Sequence, residues 1–232
     1  MRLAIMQPYL FPYIGYFQLI SAVDVFVIFD DVNFINRGWI NRNYILCGGE
    51  SKLLTMELER SSQNKLINQI NVGNRNDKLL KTINHNYSKA PFYPQVFPII
   101  SNILTNKEKN LATFLNLQLD AICTYLDLYP KWLISSNLNK DNSLRGQDKI
   151  LAICNQLEAT HYINLYGGRH LYNTELFAAA GTELLFIRSK QVTYPQSRNP
   201  FVPNLSIIDV MMFNSPGTIR HSLLKSYELV AC

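Results

Sequence analysis

The first thirty residues constrain this chain most. Leu3–Met6 is a short apolar run stopped at Pro8, and Val25–Phe29 is a second such run. Both have the length and flanks of buried strands. Between them Gln7–Tyr13 contains two prolines, which excludes a regular helix or a central strand there. Gly15 then opens an amphipathic stretch, Tyr16–Ala22, anchored by Phe17, Leu19 and Ile20. Strand, irregular loop, helix and strand in this order make a βαβ unit, and hence a parallel sheet with a right-handed crossover.

The rest of the chain extends the pattern after an interruption. A third strand is expected at Lys52–Leu58, after a Gly48-Gly49 turn. Helices are expected at Asn64–Val72, Asp77–Tyr87 and Asn110–Leu126, with Pro91, Pro94 and Pro98 interrupting the pattern. Residues 61–130 therefore read as an inserted helical lobe within a single domain spanning 1–232. Strands are then expected at Trp132–Ser135, His161–Leu165 and Glu183–Ile187. Helices are expected at Asp148–Leu157 and at Leu171–Ala180, the latter ended by Gly181. Asn204–Phe213 and Pro216–Tyr227 are expected to close the fold as helices, with Ser215 and Pro216 as N-cap and first helical residue.

Composition enters as a set of exclusions. At 47% hydrophobic and 17% charged, the chain is too apolar to be disordered. Its net charge of +5 comes from residues 61–149, which hold eleven basic and six acidic groups without any Arg/Lys run. That distribution does not mark a nucleic-acid surface. Cys47, Cys123, Cys154 and Cys232 lack metal-ligand spacing, so no metal site is expected, and Cys123 and Cys154 fall in apolar helical patterns as packing residues. Pro8 arrives too early for a signal-peptide core, and no apolar run is long enough to span a membrane. A cytoplasmic protein is expected.

In an open parallel sheet, ligands sit beyond the carboxyl ends of the strands. The loop after the first strand brings Gln7, Tyr9, Tyr13 and Tyr16 to that edge, and Gly15 permits close backbone approach at a helix start that favours an anion. Asp30 and Asp31 end the second strand. A carboxylate there can take a proton from an amine, bind Mg²⁺, grip a sugar hydroxyl, or simply pair with Arg37 or Arg42. Strand geometry points the two aspartates to opposite sides. The following segment, Asn33–Asn43, is rich in donors: Arg37 and Arg42 suit phosphate or carboxylate, Asn41 adds an amide, and Trp39 can stack on a base or sugar.

Further along, His85 is the candidate general base by its ordinary pKa, with Tyr87 beside it. Gly167 and Gly168 follow a strand on the same sheet edge, next to Arg169. Tyr194, Gln196, Arg198 and Asn204 lie in a proline-broken loop able to close over a substrate, and Asp209 either anchors a polar network or contacts ligand. No GxSxG, Walker A or GxGxxG motif is present.

Several stretches together resemble the WbqC-like family: Gln7–Ile20, Phe29–Val32, Trp39–Asn43, Asn86–Phe92, Tyr162–Gly168 and Phe201–Asp209. The resemblance implies a role in bacterial O-antigen or other surface-polysaccharide synthesis, with glycyl (aminoacyl) transfer to the amine of a nucleotide-linked amino sugar. A second likeness bears on fold. Pro12-Tyr-Ile-Gly-Tyr16 leading into a helix is similar to the HxGH region of nucleotidylyltransferases, and Ser215-Pro-Gly-Thr-Ile-Arg220 is similar to their late phosphate motif. Tyr13 and Tyr16 replace both histidines, and a tyrosine presents no cation to a transferring phosphoryl group at neutral pH. That argues against adenylyl transfer in the usual manner.

The expected architecture is thus an α/β, parallel-sheet, nucleotidylyltransferase-like (HUP/Rossmann-like) domain with an inserted helical lobe. The expected function is N-acyl-type transfer to a nucleotide-linked amino sugar, from a carrier-protein-bound or otherwise activated amino acid. No dedicated cofactor is called for; ATP or an activated aminoacyl donor is the co-substrate. The alternatives are a non-catalytic nucleotide or nucleotide-sugar binding module and an adenylating ligase.

Overall fold

A computed structural model of the chain describes residues 1–74, 76–196 and 200–231; Arg198 and Cys232 lie outside the described residues. Six strands form the central sheet: β1 (Arg2–Met6), β2 (Val25–Ile28), β7 (Lys131–Ile134), β8 (His161–Leu165), β9 (Glu183–Ser189) and β10 (Tyr227–Ala231). Their order is β10-β9-β8-β1-β2-β7, parallel throughout except for β10, which runs antiparallel to β9. The fold is therefore α/β with a mainly parallel sheet.

Alternation along the strands builds a core on each face of the sheet. Leu3, Ile5, Val25 and Val27 pack to one side, where α5 (Gly146–Gln156) and α6 (Thr174–Ala179) supply Ile150, Ile153, Cys154 and Phe177. Ala4, Phe26 and Ile28 pack to the other side with α1 (Ile14–Ala22) and α4 (Leu111–Tyr125). The same cluster continues through α2 (Asn76–Tyr87), α3 (Tyr93–Leu104), α7 (Ile207–Phe213) and α8 (Pro216–His221). Instead of the expected amphipathic face, α1 is buried on nearly all sides, from Gly15 to Ile20 and at Ala22. A helix covered both by a sheet and by further helices has no solvent face to make polar. No helix is long and apolar enough to cross a membrane.

Several expected elements differ. In place of a third sheet strand at Lys52–Leu58, β3 (Arg42–Cys47) and β4 (Glu50–Thr55) form an antiparallel hairpin outside the central sheet. Gly48 and Gly49 both have positive φ, the backbone of a tight two-residue hairpin turn, so the run folds back on its own neighbour. The expected helix at Asn64–Val72 is replaced by a 3-10 turn at Ile67–Gln69 and by β6 (Asn71–Val72), paired with β5 (Leu58–Glu59). Ile67 N–H and Asn68 N–H donate to the carbonyls of Val32 and Asp30, so they are not free for helical bonds.

Helix α3 runs through the prolines that were expected to interrupt it: Pro94 occupies its first turn, where a missing N–H costs nothing, and Pro98 gives up one internal bond. The stretch Leu171–Ala180 divides into a 3-10 turn, Tyr166–Leu171, and α6, capped by Asn173. Gly181 takes positive φ just past α6, as its position requires. The last expected helix ends at His221; after a 3-10 turn the chain enters β10.

Candidate active site at the switch point of the sheet

From β1 the chain moves through β2 to β7 on one side, then returns to place β8 and β9 on the other. The carboxyl ends of β1 and β8 therefore diverge, leaving the crevice that binds ligands in open α/β sheets. A cavity of about 610 Å³ lies there. Gln7, Tyr9 and Tyr13 enter from the loop after β1, and Asn164, Gly167, Gly168 and Tyr172 from β8 and the turn beyond it. The start of α5 contributes Gly146 and Gln147; Ile5, Phe29 and Ile150 form apolar floor, and Ile35, Trp39 and Leu171 stand exposed at the mouth.

The loop after β1 is held rigidly by buried polar side chains. Phe11 N–H donates to Gln118 Oε1 (3.0 Å), while Gln118 Nε2 donates to the Tyr9 carbonyl (3.1 Å). Asn43 Nδ2 donates to the carbonyls of Leu10 (3.2 Å) and Phe11 (2.8 Å), and Ser206 Oγ donates to the Phe11 carbonyl (2.8 Å). Gln118 and Ser206 are fully buried. These bonds fix Phe11 at φ 40°, a conformation rarely taken by a side-chain-bearing residue. Tyr16 is also fully buried, and its hydroxyl donates to the Gln7 carbonyl (2.9 Å) behind the cavity wall. Gly15 is required by the Tyr13 ring: a Cβ at residue 15 would lie 2.4 Å from it. The close approach permitted by this glycine is therefore made by a tyrosine of the loop itself.

Across the crevice, Asn164 Nδ2 donates to the hydroxyls of Tyr162 (2.9 Å) and Tyr172 (2.6 Å). Its Oδ1 accepts from Leu165 N–H (2.7 Å), which fixes the orientation of the amide. Gln147 Oε1 accepts from Asn173 N–H (2.5 Å), tying the start of α5 to the turn after β8. Burial raises the Tyr9 hydroxyl to about 12, helped by Tyr13 and Tyr172 nearby, and burial likewise raises Tyr13 and Tyr172. All three remain neutral at physiological pH. No Asp, Glu, Lys, Arg or His is among the lining residues described. The site can form hydrogen bonds and stack, but its side chains bring no charge.

The two aspartates are engaged elsewhere. Asp30 accepts from Asn68 Nδ2 (3.0 Å), Ser136 N–H (2.9 Å) and Ser136 Oγ (2.7 Å), which joins the ends of β2 and β7. Asp31 pairs with the buried ammoniums of Lys140 (2.8 Å) and Lys149 (2.9 Å), rather than with Arg37 or Arg42. Burial alone would raise its carboxyl, but hydrogen bonds from Lys140, Lys149 and Ser135 outweigh it and hold the group below the usual range. His85 is exposed near the end of α2 and does not line the crevice.

The donor-rich segment folds on itself. Arg42 Nε donates to the Gly38 carbonyl (2.9 Å) and its Nη2 to the Arg37 carbonyl, and Asn41 Nδ2 donates to the Met56 carbonyl (2.8 Å). Arg37 is exposed at positive φ. Of Arg37, Trp39, Asn41 and Arg42, only Trp39 lines the cavity. Ser215 caps α8, and Arg220 pairs with Asp127.

Tyr87, Tyr194, Gln196 and Asp209 form a second network. The Asp209 carboxylate accepts from Tyr87 (3.0 Å), Tyr194 (2.7 Å) and Gln196 (2.6 Å), and Tyr87 Oη accepts Leu46 N–H (2.8 Å). Burial raises Asp209 despite these three donors. The network latches the segment around Tyr194 to α7 and α2.

Sequence reasoning thus reached Gln7, Tyr9, Tyr13, Trp39, Gly167 and Gly168 in the crevice and missed Asn164, Tyr172, Gly146 and Gln147. Asn164 could have been found, since it is the polar residue near the end of an otherwise apolar strand.

The profile of the WbqC-like protein family matches residues 7–221. A Mycobacterium tuberculosis relative, the uncharacterized protein Rv1507c, is 25% identical over 229 residues, covering 95% of this chain and 98% of the relative. Comparison with solved structures gives no significant match. With most of its length within the matched region, the chain belongs to the WbqC-like protein family.

Proposed function

We propose that the crevice binds a nucleotide-linked amino sugar and that the protein transfers a glycyl or similar aminoacyl group to its amine, in O-antigen or other surface-polysaccharide synthesis. The observation that carries this reading is the lining of the cavity: abundant neutral hydrogen-bonding groups, an aromatic lip and, among the described residues, no ionised side chain. Its position beyond β1 and β8 supports a nucleotidylyltransferase-like arrangement, with the nucleotide held across the switch point.

In this mechanism Trp39 stacks on the base or sugar. The first turn of α5, which lacks a side-chain cap, offers N–H groups to the diphosphate. Gln7, Asn164 and the Tyr9, Tyr13 and Tyr172 hydroxyls hold the sugar hydroxyls and the amine. With no carboxylate or imidazole among the described lining residues to take a proton from an ammonium ion, the amine reacts as the free base supplied by its equilibrium in solution. Its nitrogen attacks the activated carbonyl carbon. The C–N bond forms, the bond from carbon to the leaving group breaks, and the surplus nitrogen proton passes to the departing group. This route uses neither Asp30, Asp31 nor His85 as base.

The positions of those three residues off the cavity wall also favour a second reading, a non-catalytic module that binds a nucleotide sugar. One experiment separates the two. Trp39 and Trp132 are the only tryptophans, so Trp132→Phe leaves Trp39 as sole reporter. Titration with dTDP-4-amino-4,6-dideoxyglucose, its N-acylated counterpart and ATP, read by Trp39 emission, should give saturable quenching that is strongest for the free amino sugar. Mass spectrometry after adding glycyl thioester donors should then reveal glycylated product. Quenching without product favours the binding module. Response to ATP alone, or to no ligand, overturns both readings of the crevice.

A further inference from the structure

Tyr13 lines two cavities. Besides the crevice it lines a second, smaller cavity of about 350 Å³, whose described lining includes the end of β9, Gln191, Val192, Tyr194, Phe201, Asn204, Leu205 and Val210 of α7. We infer that this second cavity is the donor subsite, that it takes the phosphopantetheine-type arm of an aminoacyl thioester, and that Tyr13 is the partition along which donor and acceptor meet. The inference rests on the transferase reading above, and names the donor that this reading leaves open.

Three observations carry it. First, the partition is built: Tyr13 lies against α1 only because residue 15 lacks a Cβ, with the ring 2.4 Å from where one would be. From that seat the one side chain lines both cavities. Second, the smaller cavity differs in chemistry from the crevice. Val192, Leu205 and Val210 give it apolar walls, Gln191 and Asn204 can bond amides, and Lys190, exposed at the rim, is the one cation among its described lining residues. An arm with branched aliphatic carbons, two amides and a terminal phosphate matches that set. At little over half the volume of the crevice, it is ill suited to a second sugar nucleotide. Third, its outer wall is fastened, since Tyr194 and Gln196 are bonded to the buried Asp209.

The Tyr13 hydroxyl would then donate to the thioester carbonyl oxygen as negative charge develops on it. The acceptor nitrogen bonds to the carbonyl carbon, the C–S bond breaks, and the amine proton leaves with the thiolate as a thiol. No oxidant or further co-reactant is needed.

The test is calorimetric titration of 4′-phosphopantetheine into the full-length protein, alone and with dTDP-4-amino-4,6-dideoxyglucose present at saturation. Coenzyme A and a phosphopantetheinylated carrier protein serve as separate arms, distinguishing a free from a carrier-borne source. Simultaneous binding is expected, with the phosphopantetheine Kd changed less than about threefold by the sugar nucleotide. Lys190→Glu should weaken it about tenfold or more, by setting a carboxylate against the phosphate, while leaving sugar-nucleotide affinity unchanged. Val192→Trp should abolish it by filling the cavity. If Val192→Trp does not fold, Lys190→Glu still decides, because an exposed rim lysine carries no packing. Failure to bind, mutual displacement, or indifference to Lys190→Glu overturns the donor subsite. If phosphopantetheine binds through Lys190 while the sugar nucleotide does not bind at all, the subsite stands and the reading of the crevice falls.

Discussion

Replacing Gln118 by methionine tests whether the loop after β1 is held by hydrogen bonds rather than by packing. The two side chains are similar in length and volume, so no cavity arises. What changes is that Phe11 N–H and the Tyr9 carbonyl lose their partners in a region where Phe11 and Gln118 are buried. Each orphaned buried group costs about 1–3 kcal/mol, and the apolar replacement recovers part of that, so a net loss of about 3 kcal/mol is expected. For a chain of this size that lowers Tm by roughly 6–12 °C. Asn116, two residues earlier on the same helix, is the control: its buried Oδ1 has no hydrogen-bond partner among the described residues, so Asn116→Leu should be neutral or slightly stabilising. Thermal melts and urea titrations of both variants measure the difference. If Gln118→Met melts within about 1 °C of the parent, the loop is held by its aromatic and proline packing and the hydrogen-bond argument fails.

Gly15→Ala should drive the Tyr13 ring from its seat, weakening sugar-nucleotide binding by about tenfold or more, whereas Tm falls only modestly; a crystal structure with the ring unmoved would refute this. Asp31→Asn leaves two ammoniums buried without their carboxylate, and should cost about 3–5 kcal/mol in urea unfolding. Because the folded-state pKa of Asp31 is depressed, its contribution is fully present above about pH 4, the unfolded value, and is lost as pH falls through the lower folded value. The parent should therefore lose stability more steeply than Asp31→Asn on acidification; parallel curves would contradict the assignment. For turnover, the log rate should rise with pH up to the pKa of the acceptor amine, and that inflection should move when the acceptor is changed. An inflection that stays fixed across acceptors would assign the base to the protein.

Strands marked by a compact apolar run were legible as elements, whereas the partners that they pair with were not, as the Lys52–Leu58 run shows by folding back on β3 instead of joining the central sheet. His161–Leu165 reads directly as a strand and is one, and the loop between β1 and α1 is announced by its prolines. Strand β10 has no counterpart in the expected elements, where only Tyr227 is placed, at a helix end, because nothing local reveals that β9 lies ready to pair with it. The site divides the same way. Gln7, Tyr9 and Tyr13 follow from their place after the first strand, whereas Asn164, Tyr172 and Gln147 reach the crevice because β8 happens to be the other neighbour of β1. The acidic pair was legible as a feature but not in its partners: Ser136, Asn68, Lys140 and Lys149 come from segments that only the folded chain brings to β2.

Much of what marks the family resemblance serves to immobilise loops. Asn43 and Ser206 are spent on the backbone of the loop after β1, while Tyr87 and Asp209 fasten the segment around Tyr194. None of these four lines the crevice. The arrangement is what a neutral site requires. A charged pocket attracts its ligand over several ångströms and tolerates some misalignment, whereas neutral donors and acceptors contribute only at the right distance and angle. Loops that had to be ordered on binding would cancel much of that contribution. A crevice furnished with tyrosines and amides therefore depends on a frame fixed beforehand. Variants that loosen the frame, such as those at Asn43 or Ser206, should cost ligand affinity as heavily as variants at Gln7 or Asn164 that remove a contact.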